Sequence, residues 1–94
     1  EALAIYGLLI AFMLLGKLPN ITTMESANKA LISGIIISVA TVSAGAGISY
    51  SGSSLIAATA ENPETFSSNV IGVVLSEALA IYGLLIAFMI IGQI

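Results

Sequence analysis

Ser76-Glu77-Ala78-Leu79-Ala80-Ile81-Tyr82-Gly83-Leu84-Leu85-Ile86-Ala87-Phe88-Met89 sets one carboxylic acid inside an apolar run. With Val70-Ile71-Gly72-Val73-Val74-Leu75 ahead of it, that run is long enough to cross a bilayer and puts Glu77 near mid-membrane. Nearly the same words open the chain, from Glu1 to Gly16. Aligned on Glu1 and Glu77, 14 of 16 positions are identical, and only Leu14 and Leu15 are exchanged, for Ile90 and Ile91. An acid placed twice in the same apolar setting calls for a chemical explanation.

The surroundings exclude most explanations. Of 94 residues, 59% are hydrophobic and 7% charged, and the mean hydropathy is +1.14. Five acids and two lysines cannot cover a water-soluble core of this size. The composition therefore predicts an all-α membrane protein built from transmembrane helical hairpins. Cysteine and histidine are absent, which removes disulfides, thiolate metal sites and the commonest general base. No metal site and no catalytic constellation is predicted. A net charge of -3 without a basic patch argues against nucleic acid as a partner.

Residues 1–18 read as the second half of an outer transmembrane helix whose hairpin partner is expected upstream. Gly16 is the expected C-cap, and 19–22 form a loop around Pro19. Asn20-Ile21-Thr22 also matches a glycosylation sequon, a tripeptide common by chance. The Thr22-Thr23-Met24-Glu25 spacing predicts a capping box with Glu25 as its acid. A long helix follows over 23–61. On it, Ala40, Ser43, Ala44, Gly47, Ser51, Ser54 and Ala58 share a face about 100° wide, and Ser38, Thr41, Gly45, Ser49 and Gly52 share another. Two small-residue faces predict a helix squeezed by neighbours on both sides, with Ala40, Ser43, Ala44, Gly45, Gly47, Ser51 and Gly52 as packing residues. Residues 62–64 form a polar turn with Asn62 as N-cap, and an outer helix carrying Glu77 occupies 64–94.

A carboxylate at the centre of a spanning helix costs about 2.5–3.5 kcal/mol on insertion scales, so desolvation favours the protonated form. Ionisation requires water, a cation or an arriving counter-charge, which makes such a group a switchable ion carrier. Tyr82 lies about 140° around the helix from Glu77, so it would serve a neighbour's acid or act as a packing aromatic. Tyr6 holds the same place after Glu1.

The combination of Ser43-Ala44-Gly45-Ala46-Gly47, the Ala60-Glu61-Asn62-Pro63-Glu64 turn and Glu77 with Ile81-Tyr82-Gly83-Leu84 resembles the proteolipid (c or K) subunit of rotary ATPases, on the V-type or archaeal A-type branch. The resemblance implies hairpins assembled side by side into a rotor ring, with the small-residue helix inside. Each acid would be loaded while facing lipid and unloaded beside a membrane arginine of a stator subunit. Glu77 and Glu1 would be the ion-binding carboxyls, with Tyr82 and Tyr6 as supporting residues, and Asn62, Pro63 and Glu64 would contact a central-stalk subunit. The implied partners are identical or homologous proteolipid chains, stator, stalk and lipid bilayer. The chain would be no enzyme by itself, lodged in the cell membrane of a prokaryote or in a vacuolar or endosomal membrane of a eukaryote.

Sodium-binding relatives carry a glutamine on the inner helix and hydroxyls just after the acid. Here Ile48, Ala78 and Leu79 stand at those positions, so the expected ion is the proton and no cofactor is needed. Lys17 and Lys29 flank the Pro19 loop, which by the positive-inside tendency would be cytoplasmic, opposite to the family's orientation. The competing classes are a small proton-coupled secondary transporter working as a dimer, a structural proteolipid, and a sodium-coupled version of the same rotor.

Overall fold

The computed structural model describes all 94 residues as three helices in a bundle measuring 57 × 16 × 15 Å. α1 spans Ala2–Lys17, α2 Met24–Glu61 and α3 Phe66–Ile91. All three are long and apolar enough to cross a membrane once the short turns at their ends are included. No strand is present.

The connections follow from local chemistry, with two departures from expectation. Gly16 does not cap α1: no glycine has positive φ, and the helix runs through Lys17 into a 3-10 turn over Leu18–Asn20. Pro19 explains this, since its fixed φ suits the start of such a turn while its missing N–H ends the α-helical ladder. The capping box of α2 sits one residue later than Thr22 and Glu25 would put it. Thr23 is the N-cap, with Ser26 N–H donating to its Oγ1 at 3.1 Å and the Thr23 N–H donating to Ser26 Oγ at 3.1 Å. Glu25 turns outward and pairs with Lys29 at 3.4 Å. At the other end the Glu64 N–H donates to Asn62 Oδ1 at 3.2 Å, capping a 3-10 turn over Pro63–Thr65 that precedes α3.

α2 and α3 form a close antiparallel hairpin whose seam is lined with small residues. A Cβ built on Gly83 would overlap the Ala40 methyl; one on Gly47 would lie 3.1 Å from Ser76 Oγ; one on Gly72 would lie 3.8 Å from Ser51 Cβ. From Ala40 to Gly47 to Ser51, each step along α2 is matched by an equal step back along α3, which fixes the register. Ala44 and Ala80 are buried between these points, and Ile37, Ala87, Ser33 and Ile91 close the seam toward the lysine end. In hydrocarbon, where apolar burial gives no drive, such intimate van der Waals contact is what holds helices together. The seam hydroxyls do not disturb it, because Ser33, Ser51 and Ser76 each donate to a carbonyl of their own helix at 2.7–2.9 Å.

Ser43 is exposed and a Cβ on Gly52 would meet open space, so neither packs within the chain. α1 lies parallel to α3 and covers both helices: Ile10 is buried against Ile37, Ala87 and Ile91, with Tyr6, Met13 and Leu14 around them. Leu3 approaches Gly45. Much of the remaining surface is hydrocarbon, with Phe12, Val42, Val74, Leu75 and Phe88 all more than half exposed.

Candidate functional site

Glu77 sits 11 residues into the 26-residue α3, about 16 Å from its start and 21 Å from its end. The residue is half-buried, at the level of the α1 end. There it lines an open cavity of about 380 Å³ together with Glu1, Ala2 and Leu3 of the α1 end and Gly45, Ile48 and Ser49 of α2. Both acids of the sequence repeat thus reach one cavity.

That convergence has a geometric cause. α1 and α3 run parallel and meet α2 at the same height, since Leu3 abuts Gly45 while the neighbouring seam contact joins Gly47 to Ser76. Repeated sequence has become repeated depth. Gly45 admits the Leu3 side chain, whose Cδ1 would lie 3.4 Å from any Cβ at that position.

The cavity wall is poor in oxygen. Ile48 and Leu3 supply hydrocarbon, and beyond the two carboxyls only Ser49 brings a polar side chain. No three acids, histidines or cysteines converge anywhere in the chain. Its one ion pair, Lys29–Glu25, lies about 30 Å along α2 from Ser49. Lys17 stands at that same end, while Glu61, Asn62, Pro63 and Glu64 are exposed at the opposite end.

The tyrosines go elsewhere. Tyr6 packs against the Ile10, Ile37, Ala87 and Ile91 cluster and is not among the residues lining the cavity. Tyr82 is 63% exposed on the uncovered face of α3. Sequence reasoning places Ile48 near the acid through the family resemblance, but does not single out Ser49 or Leu3. The small-residue face Thr41, Gly45, Ser49 and Gly52 is the available signal.

The model of the ATP synthase C-subunit family matches residues 31–90, which hold most of α2, the polar turn and nearly all of α3 with Glu77. The chain belongs to the ATP synthase C-subunit family. Members are helical hairpins of the membrane that form rings. The chain is 30% identical over 88 residues to the V-type proton ATPase 16 kDa proteolipid c 2 subunit of Caenorhabditis elegans, covering 90% of this chain and 55% of that protein. It is 43% identical over 70 residues to the ATP synthase c-subunit of Granulibacter bethesdensis, covering 70% of this chain and 93% of that one. A V-type proton ATPase c''2 subunit of Arabidopsis thaliana is 47% identical over 53 residues, covering 56% of this chain and 30% of that protein. The chain thus spans about half the length of the V-type 16 kDa relatives that it matches. No solved structure matches it.

Proposed function

We propose that this chain is a rotor proteolipid of a V- or A-type rotary ATPase, in which Glu77 carries a proton across the membrane by reversible protonation as the ring turns. The observation that carries the reading is the cavity at the middle of the hairpin, where Glu77 and Glu1 meet at one depth against the apolar side chains of Leu3 and Ile48. A protonated carboxyl is stable in such a setting, and ionisation there requires an incoming counter-charge. Sodium would need several oxygen ligands, and Ile48 occupies the place where a further one would stand. Relatives on the V-type branch are named as proton ATPase proteolipids, which agrees with this choice of ion.

The partners in this reading are further proteolipid hairpins, a stator subunit bearing a membrane arginine, and a central-stalk subunit touching Asn62, Pro63 and Glu64. The repeat supports the first of these. On α1, Tyr6, Ile10, Met13 and Leu14 pack against the α2–α3 hairpin. Their counterparts on α3 are Tyr82, Ile86, Met89 and Ile90, of which the first three are 46–63% exposed. The same face that docks on a hairpin in α1 is therefore free to dock on another hairpin in α3. Such a head-to-tail contact closes into a ring when the rotation per step permits. Replacing Glu77 by Gln and measuring proton flux through the reconstituted complex tests the reading. Loss of flux is expected, and flux at the unmodified rate would contradict it.

A further inference from the structure

The seam between α2 and α3 changes character at Glu77. Its contacts, Ala40 with Gly83, Gly47 with Ser76 and Ser51 with Gly72, set one register, which puts Ala46 at the height of Glu77 and carries on to Ser54 opposite Asn69. On the Asn62 side of that height α3 bears Ser67, Ser68, Asn69 and Ser76; on the lysine side, from Ala78 to Ile91, Tyr82 is its one polar side chain. The lysine half is closed by Ile37, Ala87 and Ile91, and the surface groove along Ile81, Leu84, Leu85 and Phe88 is lined by hydrocarbon alone.

The half toward Asn62 opens instead into a notch of about 430 Å³ lined by Tyr50, Ser51, Ser54, Leu55, Ala58 and Asn69. Ser51 and Ser54 donate to the carbonyls of Gly47 and Tyr50 at 2.7 and 3.1 Å, which leaves their oxygens free to accept, and neither the Tyr50 hydroxyl nor the Asn69 amide bonds to another group of the chain. Asn69 lies eight residues from Glu77, about 12 Å, and Tyr50 lies four residues from the height of Glu77, about 6 Å. With Glu77 at mid-membrane, both stand inside a hydrocarbon layer that extends about 15 Å either way. An amide and a phenol without partners at such depth are costly, so the notch calls for an occupant that hydrogen-bonds. No charged side chain lines it to select an ion. At about 30 Å³ each, on the order of ten waters fit, with four polar side chains to hold them.

We propose that this notch is a water site of the hairpin itself, filled from the Asn62 turn, which wets the membrane-spanning part to within about one helical turn of the height of Glu77 while the lysine half stays dry. Water there donates to the Asn69 carbonyl oxygen and the serine oxygens, and accepts from the Asn69 amide and the Tyr50 hydroxyl. Protons exchanging with Glu77 then cross less dry distance from the Asn62 side than from the lysine side. That consequence rests on Glu77 being the ion carrier; the water site does not.

The absence of cysteine permits a direct test in lipid vesicles, with single cysteines exposed to silver ion, which reaches thiols through water and not through hydrocarbon. Asn69→Cys and Tyr50→Cys line the notch. Leu85→Cys and Val42→Cys stand equally far from Glu77 on the lysine side, and Val74→Cys stands at the height of Tyr50 but outside the notch. All three control positions are more than half exposed in the wild-type chain, so burial within the chain does not separate them from Tyr50. The two notch cysteines are expected to lose free thiol at least tenfold faster than the three controls. Ser54→Cys, a near-isosteric change that keeps Asn69 and Tyr50 in place, is expected to react at the fast rate as well. A Val74→Cys rate equal to that of Tyr50→Cys would show that depth alone governs access and overturn the proposal. Slow reaction at Asn69→Cys, Tyr50→Cys and Ser54→Cys together would overturn it too. Either result leaves the carrier reading standing, since proton flux in Glu77→Gln decides that separately.

Discussion

Gly83 and Ala40 face each other so closely that a Cβ on Gly83 would overlap the alanine methyl, with the Ala40 Cα only 3.8 Å from that position. The obstructing atom is the Ala40 Cβ, which is fixed directly to the backbone, so no side-chain rotation relieves the overlap. Gly83→Ala is expected to destabilise the hairpin by about 1–3 kcal/mol through overpacking. Gly7 holds the same place in the repeated stretch, yet a Cβ there meets nothing within 4 Å. Gly7→Ala should be neutral or stabilising by up to about 1 kcal/mol, from helix propensity. Unfolding by denaturing detergent, compared between the two variants, checks the difference.

The uncovered face of α3 predicts a head-to-tail contact between copies. Since the protein has no cysteine, one copy carrying Ile86→Cys and another carrying Leu15→Cys can be mixed and oxidised in lipid. Heterodimers specific to the mixture are expected, because Ile10, the counterpart of Ile86, packs with Ile91, the counterpart of the exposed Leu15, within one chain. Homodimers of Ile86→Cys alone would indicate a two-fold contact instead.

Tyr82 should matter to assembly more than to ion binding. Tyr6, its counterpart, packs beside Ile10 and away from the acid cavity. Tyr82→Phe is therefore expected to keep both ring stability and Glu77 labelling, and Tyr82→Ala to lower ring stability in detergent by electrophoretic mobility. Loss of labelling in Tyr82→Phe would point to a hydroxyl role.

The ends of α2 offer a test of local energetics. Thr23→Ala removes the N-cap acceptor and should cost about 1 kcal/mol. Glu25→Ala breaks only an exposed pair and should cost at most about 0.5 kcal/mol. Thermal unfolding of each variant in detergent separates the two.

The hairpin, the small-residue seam and the depth of Glu77 are legible in sequence because each rests on periodicity, length and the polar break at Asn62. The cap of α2 reads one residue too early, since Thr22 with Glu25 and Thr23 with Ser26 offer overlapping boxes and tertiary geometry chooses between them. The contrast between Gly7 and Gly83 is not legible at all, as identical words acquire different neighbours only when the helices pack. Equal depth of the two acids follows from the repeat, but their meeting in one cavity depends on Leu3 seating on Gly45.

The central claim is that Glu77 is a proton carrier in a site too poor in oxygen to hold sodium. Carbodiimide labelling of Glu77 in the lipid-reconstituted protein, with and without millimolar sodium at constant pH and ionic strength, tests it most directly. Labelling at the same rate in both conditions is the predicted result, and protection of Glu77 by sodium would contradict it.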